Sequence, residues 1–128
     1  MDEHQDHENL IEEIAGEYAE ILRDSDQAIY IFLDDNSKVC NSKFAKMLGY
    51  DSPEDWAGVN ESFTQTFVED QSQEILVSAY KNAMEKMVAS QETIAWKSKS
   101  GEIVKTQVIL VPIAFKGHLF ALHFVNSK

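Results

Sequence analysis

Two periods of apolar residues run along this chain, one helical and one extended. Between residues 10 and 22 the steps are three and four: Ile11, Ile14, Tyr18 and Ile21, with Leu10 and Leu22 alongside. That spacing predicts an amphipathic helix with one apolar stripe. The stripe covers about one and a half heptads, short of the ~3 to 4 that mark a coiled coil. The helix is therefore expected to lie on the rest of the domain or on a second copy of it. Gly16 within it costs up to ~1 kcal/mol relative to alanine, which again argues for tertiary support.

AIYIFLDDNSKVCN, residues 28 to 41, reads as a buried strand, a polar turn at Asp34 to Ser37 and a second strand ending at Asn41. NSKFAKMLGY follows at once. Asn41 or Ser42 can cap a first turn, Phe44, Met47 and Leu48 fall at i, i+3 and i+4, and Gly49 supplies a left-handed stop. A helix of about two turns is unstable alone, so a sheet must hold its apolar face. SPEDW starts another short helix, with Ser52 at the cap and Pro53 in the first turn. Asp70 and Gln73 suggest a capping box for a longer helix over residues 71 to 88, whose apolar face is Leu76, Ala79, Tyr80, Ala83, Met84 and Met87. The methionines in it read as core filler.

Three strands close the sequence: QETIAWKSK, then EIVKTQVILVPIAF after the Lys99-Ser100-Gly101 turn, then HLFALHFV after Lys116-Gly117. In the middle strand Val108 and Leu110 face one way and Ile109, Val111, Ile113 and Phe115 the other. A sheet apolar on both sides needs a cover on each. The inner helices supply one and the N-terminal helix the other, which predicts an α+β fold.

With 128 residues, 44% of them hydrophobic, the chain is expected to form one domain, an N-terminal helix over residues 1 to 25 and a core over 26 to 128. The longest apolar run, residues 108 to 115, is far below the ~20 a membrane helix needs. The charged first 20 residues carry no leader, and the lone cysteine, Cys40, reads as a small buried residue, so a cytoplasmic location is expected. The net charge of −11 is concentrated: residues 1 to 26 hold ten acids against Arg23 alone, whereas residues 27 to 128 hold twelve acids and ten lysines. Neither part has the basic patch that nucleic acid or an anionic membrane requires.

In this order of elements the chain resembles the PAS family of sensor domains over residues 26 to 126. The resemblance rests on Asn41 closing the second strand, FAKMLGY after it, SPEDW followed by Gly58, VED in place of the family's H-P-x-D, and KSKSGEIVKTQVILVPI for the K-x-G-x-x-x-W strand pair. Two departures stand out: Asp35-Asn36 where a turn glycine is common, and Val125-Asn126-Ser127 in place of the D-I-T ending that often leads to an output domain. The resemblance implies a PAS-like five-stranded antiparallel sheet with short helices on one face and the N-terminal helix on the other. It also implies a pocket between sheet and helices. A small, largely apolar ligand would then lie among Phe44, Leu48, Leu76, Tyr80, Ala83, Met87, Trp96, Val108 and Leu110.

The flavin-binding light-oxygen-voltage branch has G-R-N-C-R-F-L-Q where this chain reads GVNESFTQ. Glu61 replaces the adduct-forming cysteine and Ser62 an arginine, and Trp96 and Thr106 fall near the asparagines that bind the flavin ring. Haem-binding relatives use a histidine of the inner helix, and residues 71 to 88 have none. His4 and His7 read as part of a fraying terminus, and His118 and His123 as packed residues of the last strand. No cofactor and no metal is expected. An enzyme of the small cone-shaped α+β type would need a carboxylate or histidine facing a pocket tyrosine; the core-facing tyrosines are Tyr30 and Tyr80, with no obviously inward carboxylate.

The expected function is a non-catalytic sensory or interaction module of signal transduction, of the kind found in two-component systems. It would form a homodimer through Ile11, Ile14, Tyr18 and Ile21 and the outer-face residues Ile109, Val111, Ile113 and Phe115. The output is expected to lie in another domain or in a partner signalling protein. The competing expectation is a pocketless domain used for protein contacts alone, its cavity filled by aromatic and methionine side chains.

Overall fold

The computed structural model describes residues 3–127, and the side chains of residues 7–127. Two N-terminal helices, α1 (Glu3–Glu17) and α2 (Ala19–Asp24), precede a hairpin of β1 (Ala28–Asp34) and β2 (Ser37–Cys40). Four helices follow: α3 (Ser42–Met47), α4 (Pro53–Ala57), α5 (Phe63–Phe67) and α6 (Asp70–Lys86). β3 (Ser90–Lys97), β4 (Ile103–Phe115) and β5 (His118–Ser127) complete one antiparallel sheet in the order β2-β1-β5-β4-β3. The α+β architecture expected from the sequence is thus present, with helices on both faces. Among the described residues no helix is long and apolar enough to cross a membrane.

Asn41 ties three elements together at the point where sheet gives way to helix. Its Oδ1 accepts from the Phe44 amide at 3.0 Å, capping α3, and from the Ile29 amide of β1 at 3.0 Å. Its Nδ2 donates to the Gln27 carbonyl at 2.8 Å. The side chain is buried, so each of these backbone groups would otherwise lack a partner. Gly49 ends the turn at φ +84° as the sequence predicts, and Ser52 caps α4 by accepting from the Asp55 amide.

Two buried clusters sandwich the sheet. The inner one gathers Tyr30, Phe44, Leu48, Trp56, Phe67, Ile94, Trp96, Val108 and Leu110 beneath α3–α6. In the outer one Leu10, Ile11 and Ile14 of α1 pack on Ile29, Ile31, Leu33, Phe120 and Leu122. Each such side chain contributes ~1.5 to 3 kcal/mol by leaving water. The start of α6 closes the free edge of β3: the Glu69 amide donates to the Ala95 carbonyl and the Ala95 amide to Ser72 Oγ.

Several local expectations are corrected. The N-terminal helix is interrupted at Tyr18, although hydrogen bonds from Tyr18 to Ile14 and from Leu22 to Tyr18 bridge the break. The cap of α6 is Glu69, whose carboxylate accepts from the Gln71 amide, rather than Asp70; the helix ends at Lys86, with Met87 in the left-handed region at φ 55°. The Asp35-Asn36 turn has no left-handed residue, and the register shifts between Phe32 and Asp34; the two later hairpin turns do have them, Gly101 at φ 91° and Lys116 and Gly117 at φ 51° and 80°. His7 is docked rather than frayed, its Nδ1 lying 2.6 Å from Asp34 Oδ2. Burial raises the Asp34 carboxyl, but hydrogen bonds with His7 and the Asn36 amide oppose it, and the pKa lies below its ordinary value. The side chain of His4 lies outside the described residues.

Candidate functional site

Alternation along β1 turns Ala28, Tyr30 and Phe32 toward the helices, and Tyr30 pairs with Cys40 on one side and His123 on the other. Its ring is crowded by five others: Phe44 at 4.8 Å, Phe63 at 5.5 Å, Trp96 at 5.6 Å, Trp56 at 5.9 Å between centroids, and His123 stacked at 3.9 Å and 9°. Each well-oriented pair adds ~0.5 to 1.5 kcal/mol beyond area. This cluster fills the middle of the space between sheet and helices.

What remains open is a cavity of about 200 Å³ displaced toward the end of β1, lined by Tyr30, Phe32, Asp35, Ser62, Phe63, Thr64, Leu76, Val77, Tyr80 and His123. Of the residues the sequence placed around a ligand, Leu76 and Tyr80 line it. Phe44, Leu48, Ala83, Trp96, Val108 and Leu110 are buried in the packed core around Tyr30. Met87 is 55% exposed, beyond the end of α6 and away from them. The other lining residues were not assigned to a pocket from the sequence, His123 among them. The signal for it was alternation with Ala121 and Val125, both inward-facing and buried.

Two of the lining residues carry buried polar atoms. Tyr30 Oη and His123 Nδ1 are buried without a hydrogen-bond partner. Burial pushes the Tyr30 hydroxyl well above its ordinary pKa. Burial also lowers His123 to about 3, against a weaker opposing pull from the Tyr30 and Ala121 backbone. Tyr80 Oη reaches the Leu33 carbonyl at 3.4 Å. At the exposed mouth, Asp35 Oδ1 accepts from the Phe63 amide at 3.0 Å and so starts α5, where Ser62 makes no cap bond. Lys38 fastens the same wall from below, donating to the carbonyls of Asp35 (2.7 Å), Val59 (2.7 Å) and Ala57 (3.3 Å) with its ammonium over the Trp56 ring. Desolvation lowers its pKa, and the charges of Asp35 and Asp34 oppose this.

No protein-family model and no curated protein matches the sequence. Solved structures do. The PAS domain of a protein from Colwellia psychrerythraea superposes with a TM-score of 0.69 at 19% identity, over 90% of this chain and 97% of that one. The PAS domain of an HTR-like protein from Haloarcula marismortui gives 0.62 at 16%, over 97% and 99%. A PAS domain from a two-component sensor histidine kinase gives 0.61 at 18%, over 91% and 99%. The chain has a PAS fold. Within it, Trp96 and Thr106 bond to one another, Trp96 Nε1 donating to Thr106 Oγ1 at 2.8 Å and Thr106 Oγ1 to the Ile94 carbonyl at 2.9 Å. Cys40 is buried, and burial pushes its thiol up to about 12. No group of three potential metal ligands occurs among the described residues.

The residues assigned to a dimer divide in two. Ile11 and Ile14 are buried against the chain's own sheet, Ile14 completely. Tyr18, Val111, Ile113 and Phe115 are half-buried on the outer face of this PAS fold, while Ile21 and Ile109 are exposed, at 45% and 38%.

The state of His123 gives a pH dependence with a definite sign. Folded, it stays neutral down to about pH 3; unfolded, it titrates near 6.5. Between these values the unfolded chain binds one more proton, so this group removes ~1.4 kcal/mol of stability for each unit by which the pH is lowered. Tyr30 and Tyr80 share its cavity, and burial moves both hydroxyls further above the neutral range. Urea denaturation at pH 7 and pH 5 should therefore show wild type losing about 2 kcal/mol more than His123→Phe. Equal losses would mean that solvent protonates His123 in the folded protein.

Proposed function

We propose that the protein is a non-catalytic sensory module of signal transduction that binds a small molecule in the cavity beside Tyr30. One observation carries this reading: a volume of about 200 Å³ stays open between β1, α5 and α6, lined by aromatic and aliphatic side chains together with the polar side chains of Ser62, Thr64 and Tyr80. Packing that served only to fill a core would leave few voids of this size. Catalysis is a weaker fit. Asp35 is bonded to the Phe63 amide, and an imidazole that protonates only at about pH 3 is a poor general base at neutral pH.

Transmission is assigned to the outer face. Exposed Ile21 and Ile109 flank the half-buried Tyr18, Val111, Ile113 and Phe115, a strip that a second copy covers by an isologous contact, with α1 remaining on its own sheet. The acidic N-terminal segment opposes close approach of two such copies, so association tightens with salt. The cytoplasmic, two-component setting expected from the sequence belongs to this proposal, as does output through a further domain or partner.

Native mass spectrometry of the freshly purified protein should show a mass excess that denaturing conditions remove and that Leu76→Trp, which fills the cavity, abolishes. Retention of the excess in Leu76→Trp would place the bound molecule elsewhere. Sedimentation equilibrium at two salt concentrations tests the second element: wild type should be a dimer at micromolar concentration, and Ile21→Asp with Ile109→Asp a monomer. A dimer mass for the double variant would move the interface off this face.

A further inference from the structure

The cover that the start of α6 gives the β3 edge ends at Ala95. Ala95 turns its amide to Ser72 Oγ and its carbonyl to the Glu69 amide, both away from β4. Backbone groups that face one side of a strand recur at every second residue, so those of Thr93 and Gln91 face the same way. Both residues are exposed, and among the described residues no group outside the sheet bonds their backbone. Two donors and two acceptors thus stand free on a sheet edge, the pattern that an added strand completes.

The ground on either side of this edge is apolar. Of the eight large apolar side chains that are exposed among the described residues, Ile75, Val88 and Ile103 lie here, at 42%, 47% and 49%. Ile75 and Val88 line a groove between α6 and the start of β3. Ile103, opposite Lys97 and on the same face as Thr93 and Ala95, borders a second hollow that Ile75 joins to the first. The side chains of an added strand point alternately to the two.

Charge distinguishes the sides. The groove carries Glu74 and Glu92 and no base, whereas the outer hollow has Glu69 and Lys105. A lysine or arginine on the groove side covers Ile75 and Val88 with its aliphatic stem and brings its charge to the two carboxylates. A β-branched apolar residue on the outer side packs by Ile103 and places no charge beside the Lys105 ammonium. A second copy of this chain fits less well, because edge-to-edge pairing brings the Glu74 and Glu92 carboxylates of both copies together in chains of net charge −11.

We propose that the free edge of β3 at Gln91 and Thr93 docks an extended segment of a partner protein as an additional strand, and that basic residues alternate with β-branched apolar ones in that segment. The edge is separate from the cavity beside Tyr30 and from the strip around Ile109, so neither of those sites is needed for it.

Two capped hexapeptides test this, one alternating lysine with valine and one alternating glutamate with valine, titrated by two-dimensional NMR into the full chain. The lysine peptide should shift the Gln91 and Thr93 amides, slow their hydrogen exchange, and bind roughly tenfold more tightly than the glutamate peptide. Thr93→Pro removes one outward N–H and no bond to β4, and should cost the lysine peptide roughly tenfold in affinity. Glu74→Lys with Glu92→Lys should reverse the preference between the peptides. Equal binding of the two peptides to wild type, or no response of either at Gln91 and Thr93, would overturn the proposal. Exchange at these amides that slows with protein concentration alone would give the edge to a second copy and overturn it as well. Should Thr93→Pro fail to fold, the charge-reversed variant decides.

Discussion

Six rings compete for the volume between the sheet and the short helices, and the position of Tyr30 decides the outcome. The antiparallel register of β1 with β2 and β5 places it opposite Cys40 and His123, at the middle of the inner face. Phe44, Trp56, Phe63 and Trp96 then close around it. Interiors packed to crystal-like density leave few voids, so a cluster this large at the centre pushes any open volume to its margin. The cavity lies where the aromatic packing stops, between the end of β1, α5 and α6.

The walls of that margin are held by polar ties rather than by area. Lys38 and Asp35 belong to one hairpin and reach across to residues 57 to 63, the ammonium by the Ala57 and Val59 carbonyls and the carboxylate by the Phe63 amide. Asn41 secures the other end of the hairpin to α3. β5 connects the two faces of the sheet: His123 points to the cavity, while its neighbours Leu122 and Phe124 belong to the outer cluster beneath and beside α1. Under the proposed function, a guest seated beside His123 acts on the same strand that carries the outer layer.

Local chemistry was the legible part of the sequence. The caps at Asn41 and Ser52, the stop at Gly49, the strand alternation and the apolar stripe of α1 each depend on residues close together in the chain, and each lies where the pattern placed it, apart from the break at Tyr18. Features set by distant partners were not legible. α5 spans only Phe63–Phe67 and is started by Asp35 from another element. His7 is held by Asp34, 27 residues away. Periodicity also assigns a face but not a depth. It turned Phe44, Trp96 and Leu110 inward correctly, yet could not tell that rings would fill their neighbourhood and leave the opening beside Phe32 and His123. The far end of α6 was misjudged for a related reason, since Met87 continues the stripe by spacing while its backbone has left the helix.

The proposed function requires the cavity to be a preformed site and not a packing defect. A high-resolution crystal structure of the purified protein decides between the two. The expected result is an open volume bounded by Phe32, Phe63, Leu76 and Tyr80 that holds ordered solvent or a small guest. Side chains collapsed into that volume would show instead that it is a defect of packing.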